Sequence, residues 1–285
     1  MKLGLTTESF APAIQGGRMN LQKIIDYAGQ NGYEGLEIVN RREIWRKDIG
    51  DDVKMNIARM RERKLRYFSY GVYEDLASTD SQVRWRAMNK VREAVLLACI
   101  TNVTDLVVMG TGLASKEKDW DAQRPSLVQN LKDCLELAER KRITISLMNG
   151  GTFLNGSTRL MQLLQELGSE YLKISMDVAA FFLVDEEPSD AVRTLVGDIR
   201  SVHLTDVKSA DEAAVGHATT VTGKLLASCA LGEGIVPQRE VLYTLKQVGF
   251  AGFLCILYQG ADEPAVGIDR SAAYLKSIFR EVRSA

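Results

Sequence analysis

Short apolar runs and longer amphipathic stretches alternate eight times along this chain, and that alternation limits its fold more than any other feature. The strand-like runs are Lys2 to Thr6, Gly35 to Val39, Arg66 to Tyr70, Thr104 to Met109, Ile143 to Met148, Leu172 to Asp177, Ile199 to His203 and Phe253 to Tyr258. The helix-like stretches are Leu21 to Gln30, Val53 to Arg63, Gln82 to Cys99, Leu127 to Arg140, Thr158 to Leu167, Ala191 to Val196, Arg239 to Val248 and Ala265 to Val282. In Gln82 to Cys99, Val83, Met88, Val91, Val95 and Ala98 recur near helical spacing, with Arg84, Arg86, Lys90 and Arg92 between them. One stripe of such a helix packs inward and the other meets water. Strands that alternate with helices pair in parallel, because each crossover returns the chain to the same end of the sheet. Eight such units in 285 residues predict an α/β protein, a single (β/α)8 TIM barrel over residues 1–285. Barrels of this kind take about 250 residues as one domain.

The punctuation agrees. Gly32 and Gly249 stand where a helix ends and a strand begins, which suits left-handed C-cap positions, and Pro188 and Pro264 just precede helices. The connection from about Val207 to Val236 is the outlier, far beyond the two to six residues common in such loops. Its small, polar composition fits either a lid or a disordered insertion.

Thirty-six basic and 37 acidic side chains leave a net charge of −1, so no global field attracts nucleic acid or an anionic membrane. No stretch reaches the roughly 20 apolar residues needed to cross a bilayer, and the first residues turn polar too soon for a secretory signal. Cys99, Cys134, Cys229 and Cys255 are widely spaced, with no Cys-x-x-Cys pair, so reduced thiols in a cytoplasmic protein are expected.

In a barrel of this type the chemistry sits where the strands end at their carboxyl side. Four of those ends carry Met148, Asp177, His203 and Leu257. Asp177 and His203, on neighbouring strands, can form a carboxylate–imidazole pair, either catalytic or merely satisfied by each other. Glu37, last but one on the second strand, is either a base or a structural carboxylate. Thr7, Glu8, Tyr70, Asn149, Asp206, Tyr258 and Gln259 stand where a polyhydroxylated ligand would be bonded. Arg41, in the basic run Arg41 to Lys47, can hold a phosphate or carboxylate, and Trp45 and Trp120 either stack on a ring or wall the pocket. Leu231-Gly-Glu-Gly234 is read as a conformational turn, since no Lys follows at phosphate-loop spacing.

Five segments carry a family resemblance: Gly32-Tyr-Glu-Gly-Leu-Glu-Ile38, Met176-Asp-Val178, Val202-His-Leu-Thr-Asp206, Leu231-Gly-Glu-Gly-Ile-Val236 and Gly249-Phe-Ala-Gly252. In this order and spacing the chain resembles the xylose isomerase-like TIM barrels, the sugar phosphate isomerase/epimerase superfamily, over essentially its whole length. The resemblance implies a sugar isomerase or epimerase, or a lyase or hydratase derived from one, acting on a small sugar-like substrate as a homo-oligomer. It also implies one divalent metal held by Glu, Asp, His and Glu at the ends of the fifth to eighth strands, the glutamates moving protons. Asp177 and His203 match two of those positions; Met148 and Leu257 replace the glutamates, and Ala180 replaces a further histidine. One carboxylate and one imidazole are too few ligands for such an ion, and His217 is the chain's only other histidine. The expectation is therefore an enzyme without cofactor, Mn or Mg being the alternative. The competing reading is a catalytically silent barrel that binds a ligand or a partner. The related apurinic endonucleases need a histidine-rich zinc site, which two histidines do not provide.

Overall fold

The computed structural model describes residues 1–40, 49–212, 214 and 216–284. Its strands are β1 (Lys2–Thr6), β2 (Gly35–Val39), β3 (Arg66–Tyr73), β4 (Asp105–Met109), β5 (Thr144–Met148), β6 (Leu172–Asp177), β7 (Ile199–Leu204), β8 (Asp206–Ser209), β9 (Ala218–Thr219), β10 (Leu225–Cys229) and β11 (Phe253–Ile256). Eight of them close a barrel in the order β1-β11-β7-β6-β5-β4-β3-β2, as the alternation predicts. Neighbours pair in parallel throughout, for example Leu5 with Ile256, Ser146 with Lys173 and Asp177 with His203. β1, β2 and β6 have the bounds read from the sequence; β3 runs three residues further, to Tyr73. Pro188 and Pro264 are the first residues of helices Pro188–Leu195 and Pro264–Ser284, where a missing N–H costs nothing.

Because side chains alternate along a strand, each one shows one face to the helices and the other to the barrel interior. Ile145 and Leu147 of β5, Ile174 and Met176 of β6, Val202 and Leu204 of β7 and Leu254 and Ile256 of β11 join the large core beneath the helices. The intervening residues fill the interior in layers. Phe68 and Phe253 stack at the amino-terminal end, with ring centroids 4.0 Å apart. A polar layer follows, containing Glu37, Ser69, Ser146, Ser175, Ser201 and His203, all buried. Above it Val39, Val107, Met109, Met148 and Leu257 form a separate apolar cluster at the carboxyl-terminal rim.

The long connection after β7 carries strands of its own rather than being a structureless insertion. β8, β10 and β9 form a small antiparallel sheet of their own, with Val207 opposite Ser228 and Leu226 opposite Ala218. The following turn is anchored by Asp206, whose carboxylate accepts N–H groups from Val207 (2.9 Å), Gly232 (2.8 Å), Gly234 (3.2 Å) and Val236 (3.1 Å). Glycine is required at 234, since a Cβ there would collide with Asp206 Oδ1 and the carbonyl of Val207. The glycine-rich segment is thus conformational, as read from its sequence.

Candidate active site

A cavity of about 250 Å³ opens at the carboxyl-terminal rim, between the strand ends and the small sheet. Met109, Met148 and Leu257 give it an apolar floor, and Leu183, Val207 and Leu226 part of its wall. Its polar lining includes Asp177, Asn149, Thr111, Thr205, Tyr73, Ser228, Asp206 and Gln259. Asp177 and Asp206 are the carboxylates among these residues, and Asp206 is committed to the four backbone groups just described.

Asp177 ends β6 and stays partly exposed. Its Oδ1 accepts the Thr205 hydroxyl and the N–H groups of Ala179 (3.1 Å) and Ala180 (3.3 Å). All three bonds fall on one oxygen, which leaves Oδ2 for a ligand. Burial pushes the carboxyl above the ordinary aspartate range, against those hydrogen bonds and the nearby charge of His203. Asn149, just past β5, fixes the backbone beneath it: Oδ1 accepts the Asp177 N–H at 2.7 Å, and Nδ2 donates to the Asp177 carbonyl at 3.0 Å.

His203 does not pair with Asp177. Strand alternation turns its ring into the polar layer, where Nε2 lies 2.8 Å from Glu37 Oε1 and Nδ1 lies 3.1 Å from the Ser175 hydroxyl. Ser69 donates to Glu37 Oε2 at 2.8 Å, and neither member of the pair is exposed. Burial alone would raise the Glu37 pKa, but the charge and hydrogen bond of His203, with the Ser69 hydroxyl, bring it below the usual range. For His203, burial works in the opposite sense and is outweighed by Glu37, so its pKa is raised. The two form an ion pair beneath the cavity floor and do not line the rim cavity.

Several ligand contacts expected from the sequence lie elsewhere. Thr7 is buried and its hydroxyl accepts the Val39 N–H at 2.9 Å. Tyr70 faces outward into the core under the helices. Glu8 and Tyr258 line a separate recess near Pro12 and Pro264, and Gln259 borders both spaces. Trp120 packs on Phe153 and donates Nε1–H to Gln162 at 3.1 Å, away from the rim cavity. Met148 and Leu257 do form an apolar floor, but with Val39, Val107 and Met109 rather than Phe181 and Phe182. Arg41 and Trp45 fall outside the described residues. Tyr73, Thr111, Thr205 and Ser228 line the cavity without having been singled out by their place in the sequence. Tyr73 was hidden by ending β3 at Tyr70, and Thr205 stood in plain view between His203 and Asp206.

The donors at the rim do not fit the divalent ion that the resemblance implies. Of the four strand ends, Met148 and Leu257 offer a thioether and a hydrocarbon, and both nitrogens of His203 are bonded inside the barrel. Asp177 alone remains, short of the several oxygen or nitrogen donors such ions need.

The sequence matches the family model described as xylose isomerase-like TIM barrel over residues 25–278. Among curated proteins, none matches it. Solved structures similar to it include the probable 3-DHS dehydratase AsbF of Bacillus anthracis, 19% identical with a TM-score of 0.79, the alignment covering 97% of this chain and 99% of that one. An L-ribulose 3-epimerase is 15% identical with a TM-score of 0.77, covering 99% and 96%. The 3-keto-D-glucoside 4-epimerase YcjR of E. coli is 15% identical with a TM-score of 0.76, covering 97% and 99%. The extent of the family match, together with the closed eight-stranded barrel, means that this chain belongs to the xylose isomerase-like TIM barrel family.

Proposed function

We propose that this protein is an isomerase or dehydratase of small hydroxycarbonyl compounds, a sugar isomerase/epimerase-like enzyme that moves protons with Asp177 and without a metal at the rim. The observation that carries this reading is the uneven bonding of Asp177, with three donors on Oδ1 and none on Oδ2 among the described residues. A carboxylate oriented in this way, with a pKa raised by burial, suits a base that takes a proton from carbon next to a carbonyl. Gln259 and Ser228, on the same cavity, supply donors to the oxygen on which charge develops.

A single carboxylate also restricts the outcome. The proton it takes returns to the face it came from, either to the adjacent carbon while the hydroxyl proton passes to the former carbonyl oxygen, which is isomerisation, or to a departing hydroxyl that leaves as water, which is dehydration. Inverting a stereocentre needs a second acid on the opposite face, and Asp206 is not free to be one. The apolar floor favours a substrate that has a hydrocarbon face and a hydroxylated edge. AsbF, a probable dehydratase by its name, shares the fold, which is compatible with the dehydration outcome.

The test is exchange of carbon-bound hydrogen with deuterated water, followed by NMR, over a panel of small hydroxyketones, aldoses and hydroxyacids. Exchange that is lost in Asp177→Asn and unmoved by added Mn2+ or Mg2+ supports the proposal. Exchange that requires either ion defeats the metal-free mechanism. Ligand binding with no exchange or turnover in any compound would leave the silent barrel as the better reading.

A further inference from the structure

Beneath the apolar floor, three side chains from three strands converge: Glu37 of β2, His203 of β7 and Cys255 of β11. One ligand atom from each lies within 4.8 Å of the other two, and all three residues are buried. We propose that this cluster is a binding site for a single borderline divalent cation of the zinc class, enclosed in the barrel and distinct from the rim cavity. It shares only His203 with the ligand positions that the family resemblance implies. The proposal does not depend on the function proposed for the rim.

The donor chemistry is a carboxylate oxygen, an imidazole nitrogen and a thiol sulfur, a set that suits zinc or cobalt better than Mg2+ or Ca2+. Each of the first two ligands is already oriented from behind. Ser69 donates to Glu37 Oε2, leaving Oε1 to point inward, and the Ser175 hydroxyl meets His203 Nδ1, leaving Nε2 as the inward atom. Such outer hydrogen bonds fix tautomer and orientation in metal sites. At zinc bond lengths, tetrahedral donors stand roughly 3.3 to 3.8 Å apart, so Nε2 and Oε1, now 2.8 Å apart, need only part slightly while Sγ closes in.

Charge balance favours the exchange. With Glu37 ionised, His203 protonated and Cys255 a thiol, the cluster is neutral. Replacing the imidazole and thiol protons by one divalent cation leaves it neutral, so the fully buried site takes up the ion without gaining charge. At the amino-terminal end a cavity of about 380 Å³ is lined by Ser69 and Ser201 together with the stacked rings of Phe68 and Phe253, which pack against Cys255. The apolar layer of Val39, Val107, Met109, Met148 and Leu257 closes the other side.

The test is titration of chelator-treated protein with Co2+, read by absorption and by X-ray absorption at the bound ion. One equivalent is expected, with a thiolate-to-cobalt charge-transfer band, one sulfur among nitrogen and oxygen neighbours, and proton release into weak buffer. Cys255→Ala should abolish the band, while Asp177→Asn, Cys99→Ser and Cys229→Ala should keep it. Absence of stoichiometric binding to the wild-type protein overturns the proposal. So does a sulfur-free ion environment, or a site lost in Asp177→Asn. The wild-type measurements decide the matter even if Cys255→Ala fails to fold.

Discussion

Asn149 grips the backbone of Asp177 from both sides, accepting its N–H at 2.7 Å and donating to its carbonyl at 3.0 Å. The ends of β5 and β6 are therefore joined by a side chain where ladder bonds have run out. Asn149→Leu leaves that N–H and carbonyl without their partner, at a cost of about 1–3 kcal/mol for each group that water does not reach. Calorimetry should show a lowered Tm, and the proposed exchange activity should fall by more than any loss of ligand affinity, because the base loses its aim.

Asp177→Asn removes the base while its amide oxygen can still accept from Thr205, Ala179 and Ala180. Turnover should fall roughly 10²- to 10⁴-fold, the contribution typical of a positioned acid–base group. Stability should respond in the other direction. The native pKa of Asp177 is raised, so its contribution is fully present below the unfolded value of about 3.9 and is lost as pH rises through the higher native value. Denaturant titrations should show the variant gaining on the wild type over that window and then holding a constant difference. A difference that does not change with pH would mean that the carboxyl is not shifted.

The apolar layer can be probed from both of its unexpected members. Leu257→Ala should cost about 2–5 kcal/mol through the cavity it leaves, whereas Met148→Leu should cost less than about 1.5 kcal/mol. Met148→Glu, which restores the carboxylate that the family resemblance implies, puts a charge among Val39, Val107, Met109 and Leu257. Its Tm deficit should be larger at neutral than at acid pH, where the new carboxyl is protonated.

Asp206→Ala strands the N–H groups of Val207, Gly232, Gly234 and Val236 at once. Limited proteolysis should then cut within residues 207–236 several times faster than in the wild type. The barrel strands should stay protected. Cleavage at an unchanged rate would show that the turn is held by other means.

The barrel was legible because parallel strands buried on both sides leave a strong pattern: a short apolar run, a helix, and a glycine or proline between them. Leu172 to Asp177 and Gly35 to Val39 came out to the residue. The site was legible only in part. Position along a strand tells which end a residue occupies, and so Asp177, Asn149, Asp206 and Gln259 were placed at the rim. Depth and facing are settled by barrel closure, which the one-dimensional pattern does not contain. His203 therefore turned out one layer lower, beside Glu37 rather than Asp177, and Tyr70 pointed outward while Tyr73 reached the cavity. The β8–β10–β9 sheet was hidden for another reason: its strands are only two to five residues long and largely half-buried or exposed, so hydrophobic periodicity barely marks them.

Among the described residues that small sheet shares no ladder with the barrel and its strands pair with one another, and the Val221 N–H to Leu183 carbonyl bond at 2.8 Å is one tie back to the body. Swinging it aside breaks a few such ties and leaves both sets of strand pairings whole. Local opening of the small sheet and unfolding of the barrel are thus expected to be separate equilibria. Amides of the outer ties would trade their hydrogens with solvent long before those of β1 to β7.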